Sequence, residues 1–81
     1  MEVFLATPDK KVFSGAASDV LVNAEKGQIN ILEKHANLIT LVKPGVVRIR
    51  GAQEKNFQVG EGVLKVENDR VSILCKEVRE S

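Results

Sequence analysis

Hydrophobic and polar residues alternate with a period of two along most of the chain. In Val46-Val47-Arg48-Ile49-Arg50, Val47 and Ile49 face one way while Arg48 and Arg50 face the other. Leu64-Lys65-Val66-Glu67 and Val71-Ser72-Ile73-Leu74-Cys75 keep the same period, and Ile29 and Ile31 alternate with Gln28 and Asn30. No window carries a capped apolar stripe at i, i+3, i+4, i+7, so no helix is predicted. Turn signals recur at Pro8-Asp9, Ser14-Gly15, Lys26-Gly27, Pro44-Gly45, Gly60-Glu61-Gly62 and Asn68-Asp69. Between them the pattern predicts short strands near 2–7, 11–14, 17–23, 28–32, 37–43, 46–51, 56–59, 62–67 and 70–76. Pro44-Gly45 has the composition of a type II turn, with proline second and glycine supplying positive φ third.

Connections this short require mostly antiparallel neighbours. A single sheet would leave one face wet, yet Leu38-Ile39-Thr40-Leu41-Val42 is apolar on both parities. The predicted fold is therefore all-β: a two-sheet β-sandwich of about nine or ten short, mostly antiparallel strands, with part of one outer face covered by something else. Residues 1–81 are expected to form one domain, with Glu77–Ser81 as a frayed charged tail. The abundance of valine and isoleucine agrees, because β-branched side chains fit a pleated surface.

Charge and chemistry narrow the function more than they name it. Twelve Lys and Arg stand against eleven Asp and Glu, and the only aromatic residues are three Phe. With neither a basic field nor a stacking platform, nucleic acid is not an expected partner. No apolar run approaches the ~20 residues of a membrane-spanning helix, and Met1-Glu2 does not open a secretory leader. A soluble intracellular protein is expected. The lone Cys75 alternates inward with Val71 and Ile73 and reads as a small buried hydrophobe. His35, the single histidine, reads as a structural or interface residue because no partner for base or ligand chemistry stands near it. The glycines lie at turn spacing and form no phosphate loop. No catalytic, cofactor-binding or metal-binding residue is expected; the work of the chain should be binding, with protein as the partner.

The stretch from Gly27 to Ile49 resembles the signature of the epsilon chain of F-type ATP synthases. That signature runs Gly-Glu-small-Gly-Ile-Leu-Pro-Gly-His-Ala-Pro-Leu-Leu-Thr, then Leu-Lys-Pro-Gly-apolar-apolar-Arg-Ile. Here it reads Gly27-Gln28-Ile29-Asn30-Ile31-Leu32-Glu33-Lys34-His35-Ala36-Asn37-Leu38-Ile39-Thr40, then Leu41-Val42-Lys43-Pro44-Gly45-Val46-Val47-Arg48-Ile49. Phe13–Val20, Gly60–Val66 and Asp69–Leu74 are similar to further family segments in the same order. The resemblance implies a β-sandwich at the foot of the central stalk, a non-catalytic rotor subunit without cofactor. Its implied partners are the gamma subunit and the c ring, with membrane association only through the complex. That places it at the cytoplasmic face of a bacterial inner membrane, within the F1 sector, and leaves the isolated domain monomeric. Carried over by position, the partner-binding candidates are Gln28, Asn30, Ile31, His35, Leu38 and Thr40. Leu41 matches the same surface, and parity alone does not separate core from contact among the apolar ones.

Three departures stand out. The Pro-Gly before the histidine is Glu33-Lys34 and the later Pro is Asn37, so this loop should lose rigid φ settings. The glutamate after the turn glycine is Gln28. Typical members continue into a carboxy-terminal helical hairpin; ending at Ser81, this chain is expected neither to inhibit ATP hydrolysis by that hairpin nor to bind ATP. The alternative function is a free-standing small-ligand-binding or nucleotide-sensing β-sandwich.

Overall fold

The computed structural model describes residues 1–80 and contains ten strands. They are β1 (Glu2–Ala6), β2 (Lys11–Ala16), β3 (Asp19–Ala24), β4 (Gly27–Leu32), β5 (Leu38–Val42), β6 (Gly45–Arg50), β7 (Glu54–Val59), β8 (Gly62–Glu67), β9 (Arg70–Cys75) and β10 (Val78–Glu80). No helix occurs among the described residues. Where the sequence alternates, burial alternates with it, most regularly along β8 and β9.

Hydrogen bonding runs in the order β10-β7-β6-β3-β5-β8-β9-β1-β2, with β4 on the other edge of β3. Every pair is antiparallel except β1 with β9, where Val3 lies beside Val71 and Leu5 beside Ile73. The third strand folds this ribbon into two layers. Asp19–Leu21 pairs with β6, whereas its last residue, Ala24, pairs with Val42 of β5. The two halves therefore diverge from one strand and stack. Val20, Val22, Val47, Ile49 and Phe57 from one layer and Val42, Leu64, Val66, Val71, Ile73 and Leu5 from the other share a single buried cluster. Each such side chain stabilises the fold by about 1.5–3 kcal/mol on burial.

Three local expectations change. The tail is ordered through Glu80: Val78–Glu80 pairs with Phe57–Val59, Val78 packs on the core, and Lys55 Nζ donates to Glu80 at 3.3 Å. Backbone pairing plus one apolar contact outweighs fraying there; Ser81 lies outside the described residues. Ser14-Gly15 is no turn but the middle of β2, paired with Phe4 and Val3. Gly45 does take positive φ, at +153°, well beyond the ~80° of a type II turn.

Register assigns the connections to two ends. At one lie 7–10, 25–26, 43–44, 60–61 and 76–77; at the other lie 17–18, 33–37, 51–53 and 68–69.

Candidate functional site

The two outer faces differ in character. On the β4-β3-β6-β7 side, Gln28, Asn30, Asn23, Arg48, Arg50, Asn56 and Gln58 make a largely polar surface. On the β5-β8-β9-β1 side, register lines up Leu41, Val63, Leu74 and Ala6 across four strands, and beside them Ile39, Lys65, Ser72 and Phe4. Ile39 is 71% exposed, Leu41 53% and Leu74 50%, with Val63 and Phe4 also open to solvent. A sheet face this apolar is what a soluble surface normally avoids unless something covers it. Its upper margin opens into a groove of about 560 Å³ between Leu41, Val63, Leu74, Pro8 and Pro44, rimmed by Lys43 and Glu61. The groove is continuous with the apolar rows and forms one surface with them.

The six candidates fall differently. Ile31 is 0% exposed and belongs to the core, so its side chain has no surface to offer a partner. Leu38 and Thr40 share the inward parity of Val42 and are half-buried, while the outward positions of the same strand are Ile39 and Leu41. Gln28 and Asn30 are exposed on β4, and His35 is half-buried in the following loop. Gln28 and His35 do not come together. Gln28 pairs with Asn23 beside the 25–26 turn, whereas His35 lies beyond the opposite end of β4. At about 3.3 Å per residue, the strand alone puts roughly 13 Å between Gln28 and Leu32.

Asn30 is engaged by its neighbours. Asp19, only 7% exposed, accepts from Arg50 Nε at 3.0 Å and Arg50 Nη2 at 2.7 Å. In the orientation its surroundings demand, the Asn30 amide donates to Asp19 Oδ2 and Val20 O, each at 3.2 Å. The Arg50 hydrogen bonds hold the Asp19 carboxyl below its ordinary value of 3.8, against the opposing effect of burial and with further help from the charge of Arg50, the Asn30 amide and Arg48. Because the folded value is the lower one, this contribution to stability is complete above the unfolded carboxyl's range near pH 4 and fades as pH falls through the folded value. Asp19→Asn should therefore flatten the acid limb of a thermal-stability profile below pH 5 relative to the parent. Identical acid limbs would show that the pair does not contribute. Cys75 is buried and burial pushes its thiol up to about 11, a poor nucleophile. No group of three or more His, Cys, Asp or Glu able to hold a metal ion occurs among the described residues.

The loop at 33–37 is pinned to the β8–β9 turn. The Lys34 N–H donates to Asp69 Oδ1 at 2.8 Å, and the Asn68 N–H donates to Asn37 Oδ1 at 3.3 Å. His35 N–H closes onto Leu32 O at 3.2 Å, and His35 Nδ1 lies 2.7 Å from Ala36 O. Lys34 is left-handed, with φ of +62°.

Comparison with known proteins bears on what this surface serves. One family's sequence profile, described as "ATP synthase, Delta/Epsilon chain, beta-sandwich domain", matches residues 1–81. The chain belongs to that family. It is similar to the ATP synthase epsilon chain of Hydrogenovibrio crunogenus, with 40% identity over 76 residues, 93% of this chain and 53% of that protein. To the epsilon chain of Aquifex aeolicus it is 38% identical over 80 residues, 99% of this chain and 61% of that one. It thus spans about half to three-fifths of these curated relatives. Its fold matches a chain of the Euglena gracilis mitochondrial ATP synthase, in a structure of OSCP, F1 and c ring in rotational state 1. The TM-score is 0.89 at 15% identity, over 96% of this chain and 51% of that one.

In the delta/epsilon sandwich seen here, Lys34 occupies the glycine position of the motif and keeps a glycine-like φ. Asn37, at the proline position, substitutes a side-chain hydrogen bond for a ring constraint. The expected loosening of this loop is thus met by tertiary contacts. The residues missed from the candidate set are Ile39, Val63, Leu74 and Phe4. A signal for Val63 and Leu74 exists, since each adjoins residues that alternate inward and must itself point out.

Proposed function

We propose that this chain is a non-catalytic subunit of the central stalk of an F-type ATP synthase, joining the gamma subunit to the c ring and supporting the coupling of proton translocation to ATP synthesis. The observation that carries this reading is the ordered apolar face of Ile39, Leu41, Val63 and Leu74 on a member of the delta/epsilon family. An apolar core with a polar rim is the usual composition of a protein interface. The names of its relatives and the F1 and c-ring content of the Euglena assembly support the same reading. The apolar strand surface meets gamma, and the polar ends carrying Gln28 and His35 meet the ring loops and the adjoining stalk surface. Residues 1–81 act as one sandwich domain, peripheral to the membrane in the F1 sector; in a bacterium this is the cytoplasmic face of the inner membrane.

The test is reconstitution of the enzyme with and without this chain, reading its retention on a gamma–c-ring complex and the ratio of proton pumping to ATP hydrolysis. Retention together with a raised pumping ratio is expected. No retention would overturn the stalk reading. Because Gln28 and His35 occupy opposite ends, Gln28→Ala and His35→Ala should each weaken retention by about threefold, with effects that add as those of distant sites do. A strongly non-additive pair would place them in one contact.

A further inference from the structure

We propose that Asp69 is a positioning residue, whose carboxylate holds the His35 loop in the conformation the protein offers to its partner. The inference rests on the stalk reading for what the loop meets, though not for how the loop is held. Asn68 and Asp69 form the two-residue turn between β8 and β9, with φ of +52° and +63°. Both central residues of such a hairpin turn must be left-handed, and at the second of them glycine is strongly preferred. Aspartate tolerates the left-handed region but suits it less well than glycine, so its presence there leaves room for a use of the side chain elsewhere.

Here the side chain has a use outside its own turn. Asp69 Oδ1 accepts the Lys34 N–H at 2.8 Å, and Lys34 is itself a non-glycine residue at φ +62°. A hydrogen bond from a backbone N–H to a carboxylate is of the stronger, charge-assisted kind. The tie is returned from the turn to the loop, since Asn68 N–H donates to Asn37 Oδ1 at 3.3 Å. Lys34 and Asn37 flank His35 and Ala36, so both ends of the exposed segment are fixed to one turn. The turn is anchored in its own right, because Asp69 O accepts the Glu2 N–H at 3.1 Å. Asp69 Oδ2 also lies 3.8 Å from the Met1 ammonium, which donates to Glu33 Oε2 at 3.3 Å. Removing the carboxylate therefore frees the Lys34 end of the loop without undoing the hairpin, while Asn37 stays tied to Asn68.

Three variants separate positioning from stability: Asp69→Gly, Asp69→Ala and Asp69→Asn. Each is read by thermal melting, by hydrogen exchange of the Lys34 amide and by binding to a gamma–c-ring complex. Asp69→Gly should keep or raise the melting temperature, because glycine suits the left-handed turn. In the same variant Lys34 exchange should quicken by about tenfold or more, and complex binding should weaken by a similar factor, the size expected for losing a bond to a charged acceptor. Asp69→Ala should show both losses. Asparagine keeps an acceptor oxygen, so Asp69→Asn should stay within about threefold of the parent on both measures. Unchanged Lys34 exchange in Asp69→Gly and Asp69→Ala would overturn the proposal. So would faster exchange with undiminished binding. If the parent chain itself fails to bind the complex, the stalk reading falls, and the exchange measurement alone decides how the loop is held.

Discussion

Gly62→Ala is expected to lower stability by about 3 kcal/mol or more, at the upper end of overpacking effects. A methyl group at Gly62 would overlap Leu74 O and stand 2.7 Å from Cys75 Cα and 2.8 Å from Cys75 Sγ. Two of these are main-chain atoms of the paired strand, so relief requires β8 and β9 to part where both are bonded. For a domain of this size the melting temperature should fall by roughly 12–24 °C. Gly60→Ala is the control: its nearest neighbour is the exposed Glu77 side chain at 3.0 Å, which can turn away. Its stability should stay within about 1 kcal/mol of the parent. Thermal melts of the two variants decide the matter; a Gly62→Ala midpoint equal to that of Gly60→Ala would show that the strand pair opens freely.

Leu41→Asp combined with Leu74→Asp should leave the fold intact and abolish most association with the stalk. Both side chains are about half exposed and lie in one cross-strand row with Val63 between them. Folding alone loses little when such positions become polar, whereas a partner face would have to bury two unpaired carboxylates. Central interface positions commonly contribute about 2 kcal/mol or more each, so affinity should fall by roughly a hundredfold or beyond. Circular dichroism and melting establish that the variant is folded, and titration against a gamma–c-ring complex reads the affinity. Gln58→Glu on the polar outer face should change binding by less than about threefold, as a rim or non-contact charge does. Equal affinities for the double variant and the parent would move the interface elsewhere.

Much of this architecture was legible in the residues. Period-two alternation located β6, β8 and β9 closely, because each buries one face and wets the other. The strand on which the sheet turns was not legible. Val20 and Val22 look like any inward pair, and nothing local records that Asp19–Leu21 pairs with β6 while Ala24 pairs with β5. The surface was harder still. Along β5 both parities are apolar, and Thr40, the one polar member, points inward beside Leu38 and Val42. Parity alone therefore does not tell which pair faces out, and the candidates carried over by position, Leu38 and Thr40, are the inward pair, while Ile39 and Leu41 face out. His35 was visible as a singular residue, but the grip on its loop was not. That grip comes from Asp69, 35 positions away from Lys34, and no local pattern encodes such a distance.

The parallel pairing of β1 with β9 sets when the fold can close during synthesis. Glu2–Ala6 is made before the other nine strands of the sandwich, yet one of its two edges is matched only by Arg70–Cys75. Until then it has only the hairpin with β2, and an isolated two-stranded hairpin is marginal in water. Val3 and Leu5, fully buried in the folded sandwich, stay without Val71 and Ile73 beside them until β9 is made. Closure between distant segments is slow and leaves unpaired edges exposed in the meantime. A pause in translation before β9 would thus hold an adhesive sheet with one side of β1 unpaired, and β9 decides whether that strand is kept.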